Sequence, residues 1–444
     1  MDRILYVVKK VVPKAMFRFL QPAYHWVLAL AGAIWYRFPS RKLVVIGVTG
    51  TNGKSTVVEM LHELFSRAGY KTASLSSVRF KIGEDEIENR FIMSMPGRFF
   101  VEGFLRQARD AGATHVILEV TSEGIKQFRH KYIRFAAAVM TNLTPEHIES
   151  HGGFENYKKA KGKLFEILDG AGTSVVNLDD RYAEYFLSFP AKEKIGYTLS
   201  EAKVPQKARL AQGRQTPKVV APARYEVDER GIRLYFREGW EVSAPLTGRF
   251  NAENMMAAIA VSEAFGVSHE TMRRVFEAFK GVAGRMEKIP ARGFAVIVDY
   301  AFTPNALRQV YATLKENGAR RLICVLGGTG GGRDKWKRTV LGEIAGEHCA
   351  EVFVTNEDPY DENPRQIMDE VKRGVEMKTK HVRVIEDRRE AIRAAISFAG
   401  EGDAVVVTGK GSEPLMVLAR GEKISWDDRD VVREELKRLN RQAE

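Results

Sequence analysis

The chain has 444 residues, of which 44% are hydrophobic and 28% charged, enough for two or three globular domains and too apolar for wholesale disorder. Two cysteines, Cys324 and Cys349, exclude a disulfide framework and a cysteine-based zinc site, and fit a reducing cytosol. The net charge of +12 is uneven: residues 1–42 carry a net +7 and the other 402 residues only +5, so a body that binds nucleic acid along its length is not indicated.

The first element is an apolar stretch, Ala23–Tyr36, flanked by Lys14, Arg18, Arg37, Arg41 and Lys42. Its 14 residues are too few to span about 30 Å of hydrocarbon. No small-residue cleavage site follows, so a signal peptide is disfavoured. Cationic residues beside Trp, Tyr, Phe and Leu suit a helix lying in a membrane interface. The alternative is a helical hairpin packed on the protein's own surface.

A β-branched run at 43–49 then predicts a buried parallel strand, followed by a glycine loop and the helical spacing of VVEMLHELFSRAGY. Strand-like runs recur at 115–120, 136–143 and 173–179, with helical stretches such as FFVEGFLRQARDAG between them. That alternation predicts a doubly wound α/β sheet. Residues 200–247 read as a small antiparallel β-section, and 251–266 as a helix. A second α/β pattern runs through 294–300, 320–328, 351–356, 381–387 and 403–409, a Rossmann-like domain. The expected organisation is a basic helical segment at 1–42, a P-loop central domain at 43–285 and a C-terminal domain at 286–444.

The most specific motif is Gly47-Val48-Thr49-Gly50-Thr51-Asn52-Gly53-Lys54-Ser55-Thr56. It fits the G-x-x-x-x-G-K-[ST] phosphate loop and stands between a strand and a helix, where backbone N–H groups and the helix N-terminus cradle phosphate oxygens. Lys54 is expected at the β- and γ-phosphates of ATP and Ser55 on Mg²⁺.

The TGTNGKST loop resembles that of the Mur ligases and the related folylpolyglutamate synthases. Eight further ordered blocks make the chain resemble the MurE-type members: EVTSEGI (119–125), TNLTPEHIESHGGFENYKKAKGKLF (141–165), GRFNAENMMAAIA (248–260), GVAGRMEKI (281–289), VIVDYAFTPNAL (296–307), GGRDKWKR (331–338), NEDPYDENP (356–364) and GKGSEP (409–414). The resemblance implies the fold just described, with a C-terminal ligase domain. It gives Glu119, at a strand end where α/β sheets bind ligands, a role on Mg²⁺. It gives His147 a second Mg²⁺, and Lys161 the position carbamylated in many members, with Lys158, Lys159 and Lys163 beside it. It places Asn251 and Asn254 on the adenine side, Arg285 at the nucleotide phosphates, Asp299 at the ATP ribose, and Arg333, Asp358, Tyr360 and Glu413 on the amino-acid substrate side.

The pattern departs from the family in places. Glu146 stands for the usual Asp, Phe302 for His, Asn305 for Asp and Ser412 for His. The diaminopimelate-selective D-N-P-R block reads Glu357-Asp358-Pro359-Tyr360, which removes an arginine that pairs with a distal carboxylate. Only about 42 residues precede the loop, where MurE-type enzymes carry a UDP-gripping domain.

The implied function is an ATP- and Mg²⁺-dependent ligase that activates a muramoyl-peptide-like carboxylate as an acyl phosphate and joins it to an amino acid. It would act in the cytoplasm, with peripheral membrane contact through residues 1–42, and take small-molecule substrates but no nucleic acid. Three alternatives stand beside it: a folylpolyglutamate-synthase-like ligase, a Mur-like ligase on lipid-linked wall precursor, and a non-catalytic ATP-binding scaffold at the membrane.

Overall fold

The computed structural model describes residues 14–91, 93–200 and 216–443. Residues 1–13 of the expected N-terminal segment and 201–215 of the expected antiparallel section lie outside them.

The first sheet holds nine strands: β1 (Val44–Thr49), β2 (Thr72–Leu75), β3 (Arg79–Ile82), β4 (Asp85–Glu88), β5 (His115–Glu119), β6 (Ala137–Met140), β7 (Thr173–Asn177), β8 (Glu193–Tyr197) and β9 (Lys218–Val220). Their order is β4-β3-β2-β5-β1-β6-β7-β8-β9. The β2–β3 and β3–β4 pairs are antiparallel and the others parallel. The apolar run of β1 is explained by its place: flanked by β5 and β6, it is covered on both faces. One face packs on α2 (Lys54–Arg67), where Val57, Val58, Leu61, Leu64 and Phe65 are fully buried, and on the helix Arg249–Ala264. The other packs on α3 (Arg98–Asp110) and the helix Phe154–Glu166.

Register decides where chemistry collects. Val48 pairs with Glu119 and Thr49 with Met140, so β1, β5 and β6 end at one edge. From β1 the chain leaves for β2 on one side, and it later returns to β6 on the other. That reversal opens a crevice at the carboxyl ends of the strands.

An antiparallel trio follows, β10 (Arg224–Asp228), β11 (Gly231–Tyr235) and β12 (Glu241–Ala244). It lies within the stretch read as antiparallel from its alternating residues. The second sheet comprises β13 (Glu287–Pro290), β14 (Ala295–Asp299), β15 (Leu322–Leu326), β16 (Glu351–Val354), β17 (Val382–Val384) and β18 (Ala404–Thr408), ordered β13-β14-β18-β15-β16-β17. Its strands are parallel except β13, and the sheet is buried between two apolar clusters.

Cys324 and Cys349 are joined as a disulfide with Cα atoms 6.1 Å apart, a pairing not expected from two lone cysteines. The physical reason is sheet neighbourhood: Cys324 lies on β15, and Cys349 enters β16, its parallel partner. The apolar N-terminal stretch lies in one helix, α1 (Lys14–Trp35), which runs through Pro22 and packs on α3; the rest of the expected hairpin falls on residues 1–13, outside the described residues. No helix among them is long and apolar enough to cross a membrane.

Candidate active site

The loop after β1 turns on two glycines. Gly50 and Gly53 have φ of 151° and 84°, and a Cβ there would stand 1.9 Å from Thr141 Oγ1 and 2.2 Å from Asn254 Oδ1. The loop is braced from β6. Thr51 N donates to Asn142 O at 2.8 Å, Asn52 N donates to Asn142 Oδ1 at 2.9 Å, and Thr141 Oγ1 donates to Asn52 O at 2.6 Å. Lys54 Nζ folds over the loop, donating to Thr51 O at 2.9 Å and lying 4.0 Å from Glu119. Burial lowers its pKa against the opposing pull of Glu119.

Ser55 Oγ donates to Glu119 Oε2 at 2.8 Å. Ser77 N donates to the same oxygen at 2.8 Å, and Ser94 Oγ to Oε1 at 2.7 Å. A hydroxyl and a carboxylate in contact are hard oxygen donors within reach of one ion. Mg²⁺ keeps several waters and needs only one or two protein oxygens. The pair therefore fits Mg²⁺, although the described residues include no cluster of three or more His, Cys, Asp or Glu.

Lys161 is 2% exposed, and its Nζ donates to Gly50 O at 2.6 Å over the ring of Tyr157. Burial, then repulsion from Lys54, holds its pKa well below the ordinary lysine value. Among its lysine neighbours, Lys158 is half-buried, and Lys159 and Lys163 are exposed. His147 has φ 54° and its pKa falls to about 2, from burial first and then from Arg333, Lys337, Lys161 and Lys54. A neutral imidazole keeps a free lone pair for a metal.

The nucleotide-side candidates assemble around the loop. Asn251 donates to Thr247 O at 2.9 Å, and Asn254 donates to Asn251 at 3.3 Å while standing against Gly53. Arg285 lies 4.2 Å over the Tyr300 ring, with Nη2 3.5 Å from Ser77 Oγ. Asp299 ends β14, accepts from Met286 N at 2.6 Å, and is raised to about 6 by burial against the pull of Arg285. Gly50, Thr51, Asn52, Gly53, Lys54, Ser55, Thr56, Glu119, His147, Lys161, Asn251, Asn254, Arg285, Asp299, Arg333 and Glu413 all line one cleft of about 650 Å³.

Two substrate candidates do not line it. Asp358 is buried against Lys410, with Nζ donating at 2.9 and 2.8 Å, and accepts from Val417 N. It supports Lys410, which reaches Glu413 at 2.7 Å. Tyr360 packs its ring against Gly331 and stands beside Arg333. Burial alone would lower Arg333, but Tyr300, Tyr360 and Glu413 around it raise its pKa. Tyr300 donates to Glu413 at 2.7 Å.

Other residues were not singled out from sequence. Ser77 and Ser94 carry no motif, and the only signal for Tyr157 was membership of the 141–165 block. Asp334 accepts from Ile148 N at 3.1 Å and Glu149 N at 3.0 Å, clamping the turn next to His147. Lys335 N donates to Glu149, and Lys337 Nζ donates to Glu146 at 2.9 Å and lies over Phe302. Their only sequence signal was membership of the GGRDKWKR block.

Comparison with known proteins agrees with this geometry. The Mur ligase middle domain matches residues 48–262, and the Mur ligase glutamate ligase domain matches 284–411. A UDP-N-acetylmuramoyl-L-alanyl-D-glutamate–2,6-diaminopimelate ligase of Syntrophomonas wolfei is 33% identical over 423 residues, covering 92% of this chain and 81% of its own. A protein of the same name from Chlorobium phaeobacteroides is 35% identical over 418 residues, covering 93% and 80%. A solved structure of that name superposes with a TM-score of 0.58 at 29% identity, covering 90% of this chain and 79% of its own. Mycobacterium tuberculosis folylpolyglutamate synthase superposes at 0.65 but 19% identity over 86% and 91%, a likeness of fold. The chain belongs to the Mur ligase family, Mg²⁺- and ATP-dependent, ADP-forming enzymes that make amide bonds.

Proposed function

We propose that this enzyme joins the free carboxylate of a muramoyl-peptide-like peptidoglycan precursor to the amine of an amino acid. The observation that carries it is the convergence on one cleft of a phosphate loop, the Ser55–Glu119 oxygen pair and, from the second sheet, Arg333 and Glu413.

The reaction has two steps. The acceptor carboxylate oxygen attacks the γ-phosphorus of ATP, ADP leaves, and an acyl phosphate remains. The amine then attacks the acyl carbon, a tetrahedral intermediate forms, and phosphate departs while the nitrogen loses a proton. The residues carry definable parts of this. The loop amides and Lys54 hold the β- and γ-phosphates in line with the attacking oxygen. Asn251 and Asn254 border the adenine, Asp299 the ribose, and Arg285 the phosphates. Ser55 and Glu119 would hold one Mg²⁺, and His147 with Lys161, once carbamylated, would hold a second. Magnesium, when bound, neutralises charge that builds on the transferring phosphoryl group. Arg333 takes the amino acid's carboxylate, with Glu413 facing its cationic end. The loops after β14, β15 and β18 cover the cleft and exclude water.

Tyr360 stands where an arginine would pair a distal carboxylate, so lysine, ornithine or a similar diamine fits this side better than diaminopimelate. The enzyme works in the cytoplasm, and residues 1–42 bring it to the inner face of the plasma membrane.

The test is phosphate release from MgATP with diaminopimelate, lysine, ornithine and glutamate, each against UDP-muramoyl-dipeptide, a UDP-free analogue and a folate. Release should require both a muramoyl peptide and an amino acid, and Lys54→Ala should lower it at least ~100-fold. Release with folate and glutamate alone would move the assignment to folate chemistry, and amine-independent hydrolysis would remove the ligase reading.

A further inference from the structure

The outward face of α1 has no charged residue from Pro22 to Trp35. Its exposed side chains include Tyr24, Trp26, Val27, Ile34 and Trp35, ranging from 43% exposed at Trp26 to 75% at Trp35. The inward face is also apolar: Ala29 and Ala33 are buried, and a Cβ added at Gly32 would stand 3.7 Å from the Phe99 ring. Tyr36 packs edge-on to Phe99 and against Gly103. A surface helix ordinarily turns charge toward water. One that is apolar on both sides needs a second covering.

The patch continues beyond α1. Phe99 on α3 is exposed, and so are Phe91 and Met93 just before it. Arg98 joins the parts: it pairs with His25 of α1, and its Nε donates to Gln127 O at 2.9 Å. Gln127 and Met93 line the cleft. The apolar face therefore borders the mouth of the active site.

Charge names the occupant. Between Asp2 and Glu59 the sequence has no acidic residue, while Arg3, Lys9, Lys10, Lys14, Arg18, Arg37, Arg41 and Lys42 bracket the apolar stretch. Two copies meeting through this face would bring two +7 segments together. An anionic lipid surface accepts both features, with aromatic rings at headgroup depth and cations on the phosphates.

We propose that the Tyr24–Trp35 face of α1, extended by Phe91, Met93 and Phe99, lies on an anionic bilayer and holds the cleft mouth beside the headgroups. This rests on the membrane contact stated above and is independent of the ligase reaction.

Flotation of the full-length enzyme with vesicles of phosphatidylcholine, alone or with one quarter phosphatidylglycerol, tests it. The protein should float with the anionic vesicles, at least fivefold less with neutral ones, and less as salt rises. The triple variant W26S/I34S/W35S changes only exposed positions, so it should keep its MgATP affinity while its floated fraction falls at least fivefold. Wild type left at the bottom with both vesicles removes the membrane contact altogether. A triple variant that floats like wild type keeps a membrane contact but overturns this face. A concentration-dependent dimer that the triple variant abolishes, without flotation, assigns the face to self-association and also overturns it. Amide-ligase turnover in free solution reports separately on the reaction.

Discussion

Lys54 and Lys161 are two lysine side chains reaching the same loop, and their different surroundings suit different tasks. Lys54 keeps Glu119 as a counter-charge 4.0 Å away. Lys161 has the Gly50 carbonyl and the Tyr157 ring, and burial favours its neutral amine. A neutral amine adds carbon dioxide, releasing a proton and leaving a carbamate whose oxygens bind metal. Enzyme equilibrated with ¹³C-bicarbonate should therefore show a carbamate carbon resonance that Lys161→Ala lacks. An identical spectrum from both proteins would refute the carbamate. Lys54, Ser55 and Glu119 were legible in sequence because motif and strand end fix their places. Among four lysines in thirteen residues of helix, composition could not choose; burial does, since Lys161 alone faces the sheet. That Asp358 and Tyr360 stand behind the cleft lining was not legible for a related reason. A block of sequence shows which residues are near a substrate, not which turn inward to support Lys410 and Arg333.

At the scale of elements, β1, β5, β6, β7 and the strands of the second α/β pattern were readable from period and punctuation, whereas β2, β3, β4 and β8 were not, and β9, inside the stretch read as antiparallel, pairs in parallel with β8. Contacts between distant loops were not readable either. Asp334 grips the turn at Ile148 and Glu149 from 186 residues away. No local pattern announces a contact so far along the chain. If that clamp sets His147, Asp334→Ala should lower kcat about 10–100-fold, the usual cost of losing a support behind a metal ligand. It should raise the Mg²⁺ needed for half-maximal rate and leave the KM for ATP within about twofold. Unchanged magnesium dependence would reduce the contact to packing.

A second element-level prediction concerns α3. Glu102 is buried with both carboxyl oxygens unpartnered, and burial raises its pKa to about 7. Its unfolded counterpart titrates near 4.5. Between these values the unfolded chain has released the proton while the folded one keeps it. Stability therefore declines as pH rises from about 4.5 to 7, by up to ~3 kcal/mol. Thermal melts should show wild type losing more Tm between pH 5 and pH 8 than Glu102→Gln. Parallel curves would contradict the assignment.

At the scale of the molecule, two largely parallel sheets direct the carboxyl ends of their parallel strands at one cleft. The loop after β1 and the end of β5 supply one wall, and Asp299, Arg333 and Glu413 supply the other. The sequence disclosed both sheets, because buried parallel strands are continuous apolar runs, and it disclosed the order of the blocks. It did not disclose the Cys324–Cys349 pairing, which depends on β15 and β16 being neighbours. Nor did it separate the two faces of α1, since an all-apolar stretch has no polar side to read.

The central claim is that the phosphoryl group passes to a carboxylate before the amide forms. It is tested most directly by supplying an acceptor peptide labelled with ¹⁸O in that carboxylate and analysing the phosphate released. Acyl-phosphate chemistry predicts one ¹⁸O in phosphate for each amide made. Amide formation with unlabelled phosphate, or with the label in AMP, would contradict it.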